Sequence, residues 1–265
     1  MESSENKDYL WLNLRELPYF RSLVRANEAR FYQGIDLPQP ILDVGSGDGH
    51  FASVAFDKPL DVGIDPWTGP VRESRQYGIY RMVVQGDAGR MPFRSQSFGS
   101  AISNSVLEHI PGLEDVLTET ARVLKPGAPF VFCVPNHRFL DSLSFSNALD
   151  RIKLTALGDA YRQFFNRISR HIHCDSPEVW EERLQRHGFR IEDYWHYIAP
   201  AGLKVVEWGH YFGLPSLLIH AVTRRWLLVP EPWNLSLTRR VVEKYYGEAA
   251  LSEKGVYTFY VTRRR

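Results

Sequence analysis

Cysteine is scarce in this chain: two in 265 residues, Cys133 and Cys174. Two cannot build a disulfide framework, and no Cys-x-x-Cys pair offers a zinc spacing. Net charge is nearly absent as well, with 32 basic against 31 acidic side chains. That balance excludes a protein built wholly around phosphate neutralisation, so nucleic acid is not expected as a partner. No apolar run reaches membrane-spanning length, because Pro215, His220 and Arg224–Arg225 interrupt the richest stretch. The first ten residues are polar and acidic, unlike a secretory leader. These absences predict a reduced, cytoplasmic protein. What remains is an ordinary globular composition, 44% hydrophobic and 24% charged, which excludes disorder, collagen and coiled coil.

Charge is unevenly placed. Residues 199–265 hold ten Lys/Arg against five Glu, so the acidic excess lies before them. A solvated basic face is the plain reading of such a run.

The chain is read as one domain, 1–265, in four parts. Residues 1–8 look frayed, and the rest of 1–36 reads as N-terminal helices. Tyr19, Phe20, Leu23, Val24 and Phe31 recur there at helical spacing, with Pro18 in a first turn. Residues 37–136 alternate short apolar strands with helices. Strands are predicted at 40–44, 60–64, 80–85, 100–103 and 130–134, and helices at 50–56 and 113–124. Alternation of this kind builds a doubly wound, Rossmann-like α/β sheet that is mainly parallel. Residues 137–175 and 199–252 interrupt the pattern as insertions, and 137–175 reads as mixed helix and loop that fits no strand. Between them, Ser176-Pro177 opens a helix running to His187, and 189–197 reads as a strand. A final strand alternates from Gly255 to Thr262.

The first strand ends in Gly45-Ser46-Gly47-Asp48-Gly49. Glycine lets a ligand approach the backbone closely, and the N–H groups of the following helix start can meet it. A dinucleotide fingerprint would need a third glycine at position 50, which is His50. The second strand ends on Asp65, 18 residues past Gly47, where a carboxylate can accept from both hydroxyls of a ribose. Asp65-Pro66 is equally a turn signal. Asp87, closing the third strand region, can accept from an adenine amino group beside the N–H of Ala88, and Pro66 and Trp67 offer apolar surface to its face. Together these describe a site for a nucleoside with a polar tail and no required pyrophosphate.

In these stretches, and in Met91-Pro92-Phe93, Val106-Leu107-Glu108-His109 and Arg122-Val123-Leu124-Lys125-Pro126-Gly127, the chain resembles the class I S-adenosylmethionine-dependent methyltransferases, and more narrowly their small-molecule branch. The matches run in family order over about residues 40–135, with further likeness at 176–197 and in the last strand. The resemblance implies a seven-stranded sheet whose last strand is antiparallel, and S-adenosyl-L-methionine as cofactor. It places Gly45 and Gly47 at the methionine part, Asp65 on the ribose, Asp87 and Ala88 at adenine, and Asn104 near the amino-acid end, with Ser46 and Pro66 counted among the cofactor-binding residues. Asp43 would act from behind the glycine turn or simply orient it.

Methyl transfer is an in-line displacement from an already activated donor, so alignment and water exclusion matter most. A base is needed only if the acceptor must lose a proton, and His109, soon after the fourth strand, is the candidate catalytic residue. Some relatives that methylate quinone precursors hold a divalent metal through Glu-x-x-Glu-His; Ser105 stands where the first Glu would be, so no metal is expected. His171 and His173 would share a face if they lay on a strand, and with His137 and Arg138 they are read as supporting an acceptor pocket. The acceptor is expected to be a small molecule, hydrophobic or lipid-like. The aromatic-rich 199–252 has three readings: core, acceptor lid, or a basic amphipathic stretch making peripheral contact with a membrane. A nicotinamide-dependent oxidoreductase and a nucleic-acid methyltransferase or binder are the rival functions. Oligomeric state is left open.

Overall fold

The computed structural model describes residues 7–223 and 225–265. α1 (Tyr9–Leu14) is capped by Asp8, whose carboxylate accepts from Trp11 N at 2.9 Å. The same carboxylate pairs with Arg239 at 2.7 Å. Asp8 is thus held in place, against the fraying expected over 1–8; residues 1–6 lie outside the described residues. α2 (Tyr19–Phe31) is entered through Pro18, which is its N-cap rather than part of its first turn.

Strands and helices then alternate as β1 (Ile41–Val44), α3 (His50–Ala55), β2 (Leu60–Asp65), α4 (Thr68–Ser74), β3 (Tyr80–Gln85), β4 (Ser100–Asn104), α5 (Leu113–Val123) and β5 (Pro129–Pro135). Every residue of β1, β4 and β5 is buried, as strands covered on both faces require. α5 shows why its sequence is helical. Leu113, Val116, Leu117, Thr120 and Val123 fall on one buried stripe, with Glu114 and Asp115 in the first turn and Arg122 in the last.

The 137–175 stretch folds into α6 (Arg138–Asp141), α7 (Ser144–Arg151) and α8 (Thr155–Ser169). α9 (Pro177–Arg186) starts at Ser176 with Pro177 at its first position, and β6 (Phe189–Tyr197) comes next. The second insertion supplies α10 (Pro200–Phe212), α11 (Leu214–Thr223) and α12 (Pro232–Glu243), before β7 (Tyr257–Arg264).

The seven strands form one sheet in the order β3-β2-β1-β4-β5-β7-β6. β1 pairs in parallel with β2 on one side and β4 on the other, through Asp43↔Gly63 and Asp43↔Ile102. Chain order reverses across β1, and the crevice beyond the strand ends at such a reversal is where open α/β sheets take ligands. β7 runs antiparallel to β5, with Cys133 opposite Phe259.

Contacts divide the chain into two compact units. The sheet unit comprises Ile35–His137, Ser169–Trp195 and Tyr257–Arg265. Its core packs Leu42, Val44, Ile64, Leu117, Phe130, Phe132 and Trp180. The helical unit gathers Met1–Gly34, Arg138–Ile168 and His196–Val256, so three stretches remote in sequence share one framework. Glu207 of α10, fully buried, is its polar centre. The carboxylate accepts from Ser144 N at 2.6 Å, Phe145 N at 3.1 Å and Tyr161 OH at 2.9 Å. A negative group at the start of α7 answers that helix's unpaired N–H groups.

Candidate active site

The glycine turn after β1 is held mostly by its own bonds. Gly45 N and Ser46 N both donate to Ile64 O, at 2.9 and 3.0 Å. Gly47 N donates to Asp65 Oδ2 at 3.0 Å, Gly49 N to Ser46 O at 3.2 Å, and His50 N to Asp48 Oδ1 at 3.0 Å. Of the N–H groups at the start of α3, those of Gly49 and His50 are spent inside the turn. The glycines also differ in purpose. Gly45 has φ +80°, and a Cβ on it would lie 2.3 Å from Val106 Cγ1. It is small to admit a neighbouring loop. Gly47 has φ +55° with nothing within 4 Å of a would-be Cβ, and so leaves open space. Beside it, Ser46 Oγ is buried with no hydrogen-bond partner among the described residues.

Asp65 is buried at the end of β2. One carboxylate oxygen takes Gly47 N, and the other takes Trp67 N at 2.9 Å. Each oxygen keeps a further lone pair. Burial is the main cause raising its pKa, and the two backbone N–H bonds oppose that shift. The turn reading of Asp65-Pro66 is thus also present in the bond to Trp67. Pro66 and Trp67 are exposed, Trp67 strongly so. Asp43, buried, accepts from Tyr80 OH at 2.6 Å. Burial and the adjacent Asp43 carboxylate hold the Tyr80 phenol well above the ordinary range.

The third loop is tied to the second: Gly86 N donates to Asp65 O at 3.1 Å. Asp87, exposed, caps a single 3-10 turn, Ala88–Arg90, by accepting from Gly89 N at 2.8 Å. α5 clamps the segment immediately after that turn. Glu119 accepts from Met91 N at 2.7 Å, while Arg122 donates to Met91 O at 3.0 Å and Phe93 O at 2.8 Å. Glu119 and Arg122 pair with each other at 2.6 Å. Asn104 ends β4, and its Oδ1 accepts from the Cys133 thiol at 3.2 Å. Ser105 comes next with φ +50°, a left-handed turn at a non-glycine residue. Such strain tends to mark functional loops.

His109 lies on a 3-10 turn after β4, partly exposed, and its Nδ1 is 2.9 Å from Arg170 O. A carbonyl only accepts, so Nδ1 carries the proton and Nε2 carries the lone pair of the neutral ring. Glu108 is buried, with one carboxylate oxygen 3.7 Å from His109 Nε2. Its carbonyl accepts from Ile172 N and His173 N at 2.7 and 3.1 Å, which draws a distant segment to this loop. His171 thereby joins Glu108 and His109, with ligand-type atoms within 4.8 Å of one another. His171 and His173 do not share a strand face: the backbone there is a loop beginning at left-handed Arg170, φ +57°. His173 turns instead to Ile110 O at 3.1 Å. Burial raises the Cys174 thiol to about 12, which leaves it uncharged at neutral pH. Arg138 is occupied by Glu253 O at 2.6 Å within the helical unit, and His137 is exposed.

The structure thus brings Asp43, Gly45, Ser46, Gly47, Asp65, Asp87 and Ala88 to neighbouring strand ends, with Asn104 on the strand beyond. Sequence reasoning missed Tyr80, the contact of Val106 with Gly45, the left-handed turn at Ser105, the Glu119–Arg122 clamp and the approach of His171 to Glu108 and His109. One cavity of about 470 Å³ lies in the helical unit, lined by Asp8, Trp11, Leu235, Arg239, Arg240 and Glu243 among others. It holds none of the expected site residues.

The set fits an adenosyl ligand with a polar tail. It offers open space at Gly47, an unused hydroxyl at Ser46, and spare acceptor capacity on Asp65.

Comparison with known proteins agrees. The family described as "Methyltransferase domain" matches residues 42–132. A sterol methyltransferase-like protein of Botryococcus braunii is 32% identical over 46% of this chain and 32% of its own. A sterol 24-C-methyltransferase of Aspergillus fumigatus is 31% identical over 43% of this chain and 32% of its own. The chain thus spans about a third of the length of these curated relatives. Among solved structures, a SAM-dependent methyltransferase of Thermotoga maritima superposes with TM-score 0.59 at 14% identity, covering 93% of this chain and 92% of that one. That likeness shows the fold. The family match falls on the glycine turn and the strands that carry it, so residues 42–132 are a methyltransferase domain, set on a sheet of the class I S-adenosylmethionine-dependent fold.

Proposed function

We propose that the protein transfers a methyl group by in-line displacement from S-adenosyl-L-methionine to a small, lipid-like acceptor. The observation that carries this is the convergence of Gly47 and Asp65 through one hydrogen bond at the switch point of the sheet. Bound there, S-adenosyl-L-methionine supplies a methyl group already activated by sulfonium charge.

In this reading the chain's own residues bind, orient and shield. Asp65 accepts from ribose hydroxyls with the lone pairs left by Gly47 and Trp67. Pro66 and Trp67 offer apolar surface to the purine face, and Asp87 with the Ala88 N–H addresses its amino edge. Ser46 Oγ and the backbone at Gly45, Gly47 and Asn104 serve the amino-acid end. Asp43 orients the turn while Tyr80 fixes its carboxylate. His109 accepts the acceptor's proton at Nε2, and the Arg170 carbonyl holds the ring in that tautomer. No metal takes part in this reading, in which Glu108 and His171 support His109.

The lipid-like acceptor is supported by the two relatives named for sterols and by the abundance of apolar side chains in 199–252. Among the described residues no helix is long and apolar enough to cross a membrane.

Calorimetry with S-adenosyl-L-methionine tests the cofactor. Binding at micromolar concentration is expected, and none at tens of micromolar would defeat the proposal, a threshold that corresponds to roughly 6–7 kcal/mol. A titration with reduced nicotinamide dinucleotide should give no fluorescence change. Turnover of labelled methyl into sterol or polyprenoid acceptors then tests the substrate class.

A further inference from the structure

The exposed apolar face of the second insertion is the feature that methyl transfer does not explain. α11 (Leu214–Thr223) buries no residue. Leu214, Leu217, Leu218, Ala221 and Val222 follow the i, i+3, i+4, i+7, i+8 spacing of one helical face. That face points outward: Leu218 is 73% and Val222 85% exposed. The half-buried positions are Ser216, Ile219 and His220. A surface helix normally turns its apolar stripe to the core, and this one turns it to solvent.

α12 repeats the arrangement. Leu235 and Val242, seven residues apart, are buried. On the opposite side Trp233, Leu237 and Val241 recur at i, i+4 and i+8, with Trp233 74% and Leu237 72% exposed. Arg240 and Lys244 fall within that outward stripe, and exposed Arg225 stands just past the end of α11. The connection between the helices is fixed to the framework. Trp226 stacks on His220 with ring centroids 4.1 Å apart, and Arg21 of α2 lies 5.3 Å from the Trp226 ring.

We propose that these two stripes form a docking surface for an anionic lipid bilayer. The charge pattern selects this occupant. Residues 214–244 contain four arginines and Lys244 against Glu231 and Glu243, and Arg239 is paired with Asp8 and Glu243, so a basic excess remains. Arginine and lysine can lay their stems along the apolar stripe and reach outward to lipid phosphates, while tryptophan suits the headgroup boundary. A second copy of the chain would instead bring like-charged rims face to face across a two-fold contact. The surface lies parallel to the bilayer without crossing it, in keeping with the short helices. It stands apart from the methyl-transfer reading, and its test reads binding alone.

The experiment is co-sedimentation of the full chain with vesicles of phosphatidylcholine, with and without phosphatidylglycerol. Strong retention on the anionic vesicles, weak retention on the neutral ones, and release by salt are expected. Leu218→Asp with Val222→Asp should weaken binding at least about tenfold, since buried apolar area drives interfacial insertion. Arg240→Ala should weaken it about fivefold, the effect of one cationic side chain near such a surface. Both variants alter exposed positions, and an unchanged melting temperature shows that they fold. The proposal is overturned if the wild type ignores anionic vesicles or binds neutral ones equally. It is also overturned if light scattering finds a dimer that the double aspartate variant splits while vesicle binding persists.

Discussion

The phenol of Tyr80 donates to Asp43 across 2.6 Å, and this one bond joins the start of β3 to the strand that carries the glycine turn. β3 and β1 are not neighbours in the sheet, since β2 runs between them. The contact therefore reaches across a strand and holds Asp43 in place behind Gly45. Tyr80→Phe removes the donor and keeps the ring. It should lower unfolding free energy by about 1–3 kcal/mol, the range for a buried polar group that loses a partner. Urea denaturation measures that loss, and calorimetry on the same protein should show weaker cofactor binding.

Gly45 and Gly47 should separate under the same substitution. Gly45→Ala meets both a left-handed backbone and the methyl groups of Val106, and should cost about 2–4 kcal/mol. Adding Val106→Ala relieves the overlap and should recover part of it. Gly47→Ala has room and pays only for its backbone angle, roughly 1–2 kcal/mol. Its larger effect should be on the cofactor, because the methyl enters the space left open there. Thermal melts paired with calorimetry distinguish the two patterns.

The clamp on Met91 carries a pH dependence of definite sign. The Arg122 guanidinium is the main cause holding the Glu119 carboxyl below the ordinary glutamate range, helped by the Met91 N–H. A carboxyl depressed in the folded state contributes stability above its unfolded value, and that contribution is lost as pH falls through the folded value. Acid below about pH 4 should therefore loosen the loop after Asp87. Glu119→Gln should show a shallower acid-side decline in unfolding free energy than the wild type. At neutral pH the variant should be less stable by about 1 kcal/mol.

His109→Ala should reduce turnover by about a hundredfold or more while cofactor affinity holds, as expected for loss of a proton acceptor. Chelator treatment of the wild type should leave turnover unchanged. Loss of activity on chelation, restored by a divalent ion, would instead assign Glu108, His109 and His171 as ligands. Steady-state kinetics with and without the chelator decides between them.

Much of the framework was legible before folding. β3 and β6 match their expected residues, and α5 differs by a single residue at its end. Each is marked by a local period and by punctuating glycine or proline. Gly45, Gly47 and Asp65 were also legible, since strand ends and left-handed turns restrict residue choice. Their division of labour was not. Nothing near Gly45 announces Val106, and nothing near Glu108 announces His171, because both encounters depend on loops returning from elsewhere. The segment around His173 reads as loop because a short polar run has no period, and its exact path is decided by backbone bonds to Glu108.

The amino-acid order alone settled the strands, the helices α3, α5 and α9, and where the turn glycines and carboxylates fall. These come from backbone sterics and from periodicity over a few residues. Only the tertiary structure decided which turn amides are consumed internally, which histidines meet, and which way α11 faces. The spacing of Leu214, Leu217, Leu218 and Val222 reveals that the helix has an apolar side. It does not say whether that side points in or out, because the direction depends on what the surrounding helices have left to bury.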